Sequence, residues 1–239
     1  MNDIFSQYKN EFVKINEITV NLKENEQKAI HQSILRLTKS GEVFRAGRGI
    51  YGFFKKEIYS PSLIGQAKEI SNILQNEFPL LDFCIIDTAF LANFMNLQPL
   101  SYIIVIETMK SAIDPIISAL RKKNIMVYEQ KDYPKIERYI KGSATVLVRE
   151  QILSSPSPNK IQKIKFSSLE KILVDLVRDD NIFVQYQDVE LENIYKNIIE
   201  KYAINYSKLL KYAKARNRKD ECISFLKLTE EFNKVRGML

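Results

Sequence analysis

The chain has one histidine, His31, two cysteines, Cys84 and Cys222, and no tryptophan among its 239 residues. These scarcities exclude much familiar chemistry. A serine–histidine or cysteine–histidine catalytic site would have to be built around His31, and no C-x-x-C or H-E-x-x-H spacing supports a metal centre. The two thiols lie far apart in apolar or mixed runs and offer no disulfide framework, a pattern that fits a reducing compartment. No G-x-G-x-x-G follows a β-prone run and no glycine loop ends in Gly-Lys-Ser/Thr, so the backbone donors that cradle nucleotide phosphates are lacking. Long apolar runs are absent as well. The longest, Leu80–Ile86 and Tyr102–Ile106, are strand-sized, whereas crossing a bilayer takes ~20 apolar residues. Met1-Asn2-Asp3-Ile4-Phe5 carries neither the basic region nor the apolar stretch of an export signal. A cytoplasmic protein without metal or cofactor is expected, and there is no internal repeat or low-complexity tract.

What the chain does have is positive charge: a net +7 and a pI near 9.2. Such an excess attracts polyanions through long-range fields, although it also serves solubility alone. The charge has a focus in Glu42–Phe54, which reads Glu-Val-Phe-Arg-Ala-Gly-Arg-Gly-Ile-Tyr-Gly-Phe-Phe. Two β-prone runs, Val43–Arg45 and Ile50–Phe53, flank the turn Ala46–Gly49 and predict a hairpin with Arg48 at its tip. Directly before it, Asn25–Ser40 has Ile30, Ile34 and Leu37 within a narrow arc, with Gly41 as terminator, and predicts an amphipathic helix. Lys28, Gln32, Arg36 and Lys39 project from its opposite side, with Gln27 and His31 on one flank. Lysine and arginine meet phosphates and glutamine reaches base edges, so this helix and Arg45 and Arg48 of the hairpin form a candidate winged helix-turn-helix DNA-binding surface. Upstream, Ile4, Tyr8 and Phe12 predict a first helix and Ile15–Asn21 a second, short one.

Ser60-Pro61-Ser62 opens a second section. Helices at Leu63–Phe78, Thr88–Phe94 and Ala112–Lys123 alternate with strands at Asp82–Ile86, Tyr102–Glu107, Ile125–Tyr128 and Ala144–Arg149, which predicts a covered mixed α/β sheet. Ser154–Asn159, rich in serine and proline, reads as a hinge. After a strand at Lys163–Phe166 the remainder reads as helical. Ser167 is placed to cap a helix with the stripe Leu169, Ile172, Leu173, Leu176 and Val177, and Glu170 suits a capping box. Further helices are expected at Val189–Tyr202, Ser207–Arg216 and Lys219–Val235. A second basic patch is expected on one face near the C-terminus, from Lys208, Lys211, Lys214 and Arg218. The expected fold class is α+β: a winged helix-turn-helix at 1–60, then a mixed α/β and helical region at 61–239 with a hinge at 154–159.

Two other readings compete with the DNA-binding one. Asp87 and Glu107, with Lys110 beyond, could hold the divalent metal of a defence nuclease, although Lys110 stands one residue too far along for the usual strand-face spacing. The second basic patch could instead make the chain an RNA- or toxin-binding module.

Four motifs taken together carry a family resemblance: Gly41-Glu-Val-Phe-Arg-Ala-Gly-Arg-Gly-Ile-Tyr51, Ser168-Leu-Glu-Lys-Ile-Leu-Val-Asp175, Tyr202-Ala-Ile-Asn205 and Leu209-Leu-Lys-Tyr-Ala-Lys-Ala-Arg216. Across nearly its whole length the chain resembles the abortive-infection AbiEi antitoxin family, in particular its Bacteroidetes-type relatives of uncharacterised function. The resemblance implies a non-enzymatic antitoxin and transcriptional autorepressor of a type IV toxin–antitoxin system, active in phage defence or plasmid maintenance. It implies double-stranded DNA as partner, at inverted repeats in the operon's own promoter, with Lys28, Gln32 and Arg36 facing the groove and Arg45 and Arg48 serving the wing. It also implies functional pairing with a nucleotidyltransferase-like toxin without a stable complex, through the C-terminal domain. The start of the third helix, Asn25-Glu26-Gln27-Lys28, departs from the Ser/Thr-rich start of relatives and would bring Glu26 near a phosphate.

Overall fold

The computed structural model describes residues 3–99, 101–136, 144–152, 154–156, 159–161, 164–179 and 181–239. The fold is mixed α/β with two sheets. It forms two compact units, the first from Met1–Tyr59 together with Tyr195–Leu239 and the second from Ser60–Ile194.

The first unit begins α1 (Asp3–Ser6), β1 (Phe12–Lys14), α2 (Ile15–Thr19), α3 (Glu24–Ser40), β2 (Phe44–Gly47) and β3 (Ile50–Gly52). The three strands form an antiparallel sheet in the order β1–β3–β2. The helix predicted through Ile4, Tyr8 and Phe12 stops at Ser6. Asn10 turns the chain at φ 67°, and Phe12 pairs with Gly52 in the sheet. A four-residue apolar spacing fits a helix face, but Phe12-Val13-Lys14 is also a half-buried strand pattern, and a distant partner strand decides between them. Helix α3 forms where its stripe predicts: Ile30 and Ile34 are buried against Val13, Ile15, Val43 and Phe53. It ends at Gly41, whose φ of 77° is the left-handed conformation open to glycine.

The sheet has a second apolar face. Phe12, Phe44 and Phe54 meet nearly edge-on with ring centroids 5.1–5.9 Å apart. Gly52 lies beneath them, where a Cβ would come 2.5 Å from Cε1 of Phe44.

The second unit contains α4 (Gly65–Glu77), β4 (Phe83–Asp87), β5 (Tyr102–Thr108), α5 (Ile113–Lys122), β6 (Val127–Glu129), α6 (Tyr133–Ile136), β7 (Ala144–Glu150), β8 (Asn159–Ile161), β9 (Ile164–Phe166), α7 (Leu169–Arg178) and the start of α8 (Val189–Lys201). Its six-stranded sheet has the order β6–β7–β5–β4–β9–β8. Strands β5, β6 and β7 run parallel to one another, and β4 runs antiparallel to β5. Side chains alternate across the sheet. Ile85, Ile104, Ile106, Val146 and Val148 pack with Ala67, Ile70 and Leu74 of α4 and with Ile113, Ile116 and Leu120 of α5. Glu107 and Arg149 point to the opposite face, where α7 lies. Residues 88–94 form a 3₁₀ helix, tighter than the expected α-helix. Strand β8 occupies residues 159–161, the end of the stretch expected as a hinge, and residues 157–158 of that stretch lie outside the described residues.

Helices α9 (Tyr206–Ala215), α10 (Lys219–Leu226) and α11 (Glu230–Val235) complete the first unit. The single helix expected at Lys219–Val235 is divided in two because Thr229 caps a new one, its hydroxyl accepting from the Phe232 N–H. The sequence placed all of 61–239 in one region. Contacts far apart in the chain group it otherwise. The Glu57 N–H donates to Lys201 O at 3.1 Å, the Ala203 N–H donates to Glu57 O at 2.9 Å, and the Lys56 ammonium is 2.6 Å from the Glu231 carboxylate. Burial holds the Glu231 carboxyl above its ordinary range, with hydrogen bonds from Lys56 and Tyr206 pulling the other way. One buried cysteine, not joined in a disulfide, lies in each unit, Cys222 in the first and Cys84 in the second.

Candidate nucleic-acid interface

The first unit holds 21 Lys and Arg against 12 Asp and Glu, a net +9, and the second holds 15 against 17, a net −2. The whole excess of the chain therefore belongs to the first unit.

On α3, Lys28, Gln32, Arg36 and Lys39 are all exposed. At ~100° per residue they fall within about 80°, opposite the buried Ile30 and Ile34. Gln32, Arg36 and Lys39 have no side-chain partner among the described residues, while Lys28 forms an exposed ion pair with Glu24 at 2.6 Å. His31 is exposed, its Nδ1 2.8 Å from Gln27 O. Gln27 departs from the expectation. Its Nε2 donates to Thr19 O at 3.3 Å and to Leu22 O at 2.9 Å, so the side chain ties the α2–α3 turn and is not presented outward. Glu26 is likewise occupied, accepting from the Lys23 N–H at 2.8 Å at the start of the helix and away from the basic arc. One residue that charge reasoning passed over is Leu35, 57% exposed at the edge of that arc, about 20° beyond Lys28. Its angular position was the available signal.

The hairpin turn is shorter than the expected Ala46–Gly49: β2 continues to Gly47 through a register shift after Arg45, leaving Arg48 and Gly49 as the turn. Arg45 and Arg48 are exposed, and Arg45 Nε donates to Gly47 O at 3.2 Å. The turn packs on the C-terminal helices. The Arg48 N–H donates to Ser207 Oγ at 3.2 Å, and a Cβ on Gly47 would come 2.7 Å from that oxygen and 3.1 Å from Leu239.

Of the expected second patch, Lys211 and Lys214 line a groove of about 530 Å³ together with Lys219, Lys227 and Arg236. Lys208 is exposed on α9 but is not part of that lining. Arg218 does not share the helix face, because α9 ends at Ala215 and Asn217 turns the chain at φ 55°. Its guanidinium is 3.3 Å from Glu221. Lys219, Lys227 and Arg236 went unread because they come from two further short helices and a loop.

The second unit has its own concentration of charge. Arg149 Nε donates to Glu107 at 2.7 Å, its Nη2 lies 2.6 Å from Asp175, and its Nη1 donates to Asp179 at 2.7 Å. Lys171 donates to Glu107 at 2.7 Å and also meets Asp175. All five side chains are buried. Glu107 and Arg149 are register partners on β5 and β7, and Lys171 and Asp175 stand one helical turn apart on α7. The cap of α7 is Ser168, one residue later than expected. The third helical position is therefore Lys171, which turns into this network, and Glu170 falls one place short of a capping box. Three carboxylates hold the Arg149 guanidinium ionised well above its ordinary pKa against the opposing effect of burial.

These positions bear on the nuclease alternative. Cys84 pairs with Glu107 across β4 and β5, and Asp87 lies three residues further along β4, so Asp87 and Glu107 project to opposite faces of the sheet. Asp87 instead accepts from the Ala89 N–H at 3.0 Å as a helix cap, its carboxyl raised by burial. Among the described residues, no group of three histidine, cysteine or acidic side chains is arranged to hold a metal ion, and no helix is long and apolar enough to cross a membrane.

No curated protein matches the chain. A family model described as "Family of unknown function (DUF6577)" matches residues 29–231, and the chain belongs to that family.

Proposed function

We propose that this chain is a sequence-specific, double-stranded-DNA-binding transcriptional regulator whose first unit is a winged helix. The observation that carries this reading is the order helix–strand–helix–helix–strand–strand, with the sheet order β1–β3–β2, around a helix α3 whose outward arc bears Lys28, Gln32, Arg36 and Lys39. In such an arrangement α3 enters the major groove. There Gln32 reads base edges, the cations meet phosphates, and Leu35 is available to a thymine methyl. Arg45 and Arg48 of the hairpin take the neighbouring backbone. The concentration of net charge in the first unit supports the same assignment.

The resemblance to the AbiEi antitoxins extends the proposal. The regulator would repress its own operon and oppose a nucleotidyltransferase-like toxin, as a cytoplasmic, non-enzymatic partner in phage defence.

Gel-shift titration against the DNA upstream of the protein's own gene tests the DNA-binding part. Arg36→Ala should weaken binding about tenfold, and each phosphate that is no longer neutralised should lower the salt slope by about 0.9. Unchanged affinity in both Arg36→Ala and Arg48→Ala would sink the assignment. Co-expression with the product of the neighbouring reading frame tests the antitoxin part, since no rescue of growth would remove it.

A further inference from the structure

We propose that the groove between α9, α10 and α11 binds single-stranded nucleic acid, a capacity separate from the duplex reading of α3 and the hairpin. Lys211 and Lys214 reach it from α9, Lys219 from α10, Lys227 from the turn after α10 and Arg236 from the chain beyond α11, and none of its lining residues has an acidic side chain. All five cations are exposed, and none is ion-paired among the described residues. Elsewhere in the same unit Lys28, Lys56, Lys201 and Arg218 each stand beside a carboxylate. Five like charges gathered with no acidic side chain in the lining repel one another, and a polyanion relieves that repulsion.

The floor identifies which polyanion. Leu210, Ile223 and Leu239 line the groove between the cations, with Leu239 41% exposed. A duplex presents phosphates and keeps the faces of its bases stacked inside, so this floor would have nothing to cover. A single strand carries one phosphate per unit beside an unstacked base, which matches cations at the rim and apolar surface beneath them. An acidic amphipathic peptide is the other occupant of similar chemistry. Five unpaired cations around one short groove favour the strand with a charge on every unit.

The test uses the full-length protein and fluorescence anisotropy with labelled 12-mers of oligo(U) and oligo(dT), a 12-base-pair duplex, and an acidic Glu/Leu helical peptide. The wild type should bind both single strands, and comparing them separates RNA from DNA preference. Lys214→Gln/Lys227→Gln should weaken single-strand binding about tenfold or more and flatten its salt slope by about 1.4, or about 0.7 for each phosphate that is no longer neutralised. Lys28→Ala/Arg36→Ala should leave single-strand binding unchanged, which keeps this proposal distinct from the duplex reading. All four side chains are exposed, and an unchanged melting temperature checks that each variant is folded.

Several results would overturn the proposal. These are no single-strand binding by the wild type at low salt, single-strand binding indifferent to the groove substitutions, an equal loss of duplex binding in the groove variant, and tighter capture of the acidic peptide than of either strand.

Discussion

Arg36 in the first unit ends in solvent without a partner among the described residues, while Arg149 in the second is buried against Glu107, Asp175 and Asp179. The same side chain serves opposite ends. In the second unit, Arg149 and Lys171 are turned inward against three carboxylates, and their directional hydrogen bonds fix how α7 lies on the sheet. In the first, Lys28, Arg36 and Lys39 stand outward from a helix whose buried side is aliphatic, so they remain available to something outside the molecule. Net charge alone distinguishes these cases poorly, and burial separates them at once.

The largest expected effect comes from breaking the inward arrangement. Arg149→Met leaves three buried carboxylates facing Lys171 alone, and removing one partner from such a network costs about 3–5 kcal/mol. Hydrogen exchange should show protection lost across the second unit and retained in the first, and uniform loss in both would break the contrast between them.

Next, Gly52→Ala forces the ring of Phe44 to move, since the added carbon meets Cε1 at 2.5 Å and Cζ at 2.7 Å. About 1–3 kcal/mol of overpacking is expected, read by urea denaturation and confined to the first unit. An unchanged midpoint would mean that the aromatic trio yields freely.

A smaller effect concerns Glu231. Its carboxyl is raised in the folded state, so the native protein holds the proton more tightly than the unfolded chain does. The stability this supplies is present below the ordinary value of 4.5 and is lost as pH rises through the folded value. Glu231→Gln should therefore flatten the fall in stability from pH 4.5 upward, as measured by melting temperature against pH. An identical profile in the variant would show that another group sets it.

Smallest of all, Lys28→Ala should change stability by no more than about 0.5 kcal/mol, because its pairing with Glu24 is an exposed one-turn contact. Its effect belongs in the gel shift, and a melting-temperature loss of several degrees would show that the outward charges also hold the fold.

Much of the second unit was legible in the sequence because its strands are continuous apolar runs and its helices carry clear stripes. Strand β4 at Phe83–Asp87, β5, β7 and helix α7 fall within a residue or two of where periodicity puts them. Strand β1 was not legible, since its three residues depend on a distant partner in β3, and β8 was not because its three residues begin in the serine- and proline-rich stretch before the adjacent β9. The outward arc of α3 could be read because one helix supplies all of it. The Arg149 network could not, because its members come from β5, β7, α7 and the residue after it, and sequence separation hides a parallel strand register. Gln27 was hidden differently, since its partners are backbone carbonyls of Thr19 and Leu22 close by in sequence, brought within reach by the way the chain turns from α2 into α3.

The two buried thiols give the molecule an internal clock in each unit. Burial holds the Cys84 thiol up at about 11, and Cys222 is fully enclosed, so neither reacts with a soluble disulfide or alkylating reagent until its surroundings open. Because one lies at 84 and the other at 222, mass spectrometry of the two labelled peptides would time the opening of each unit separately, in one tube and without any engineered probe.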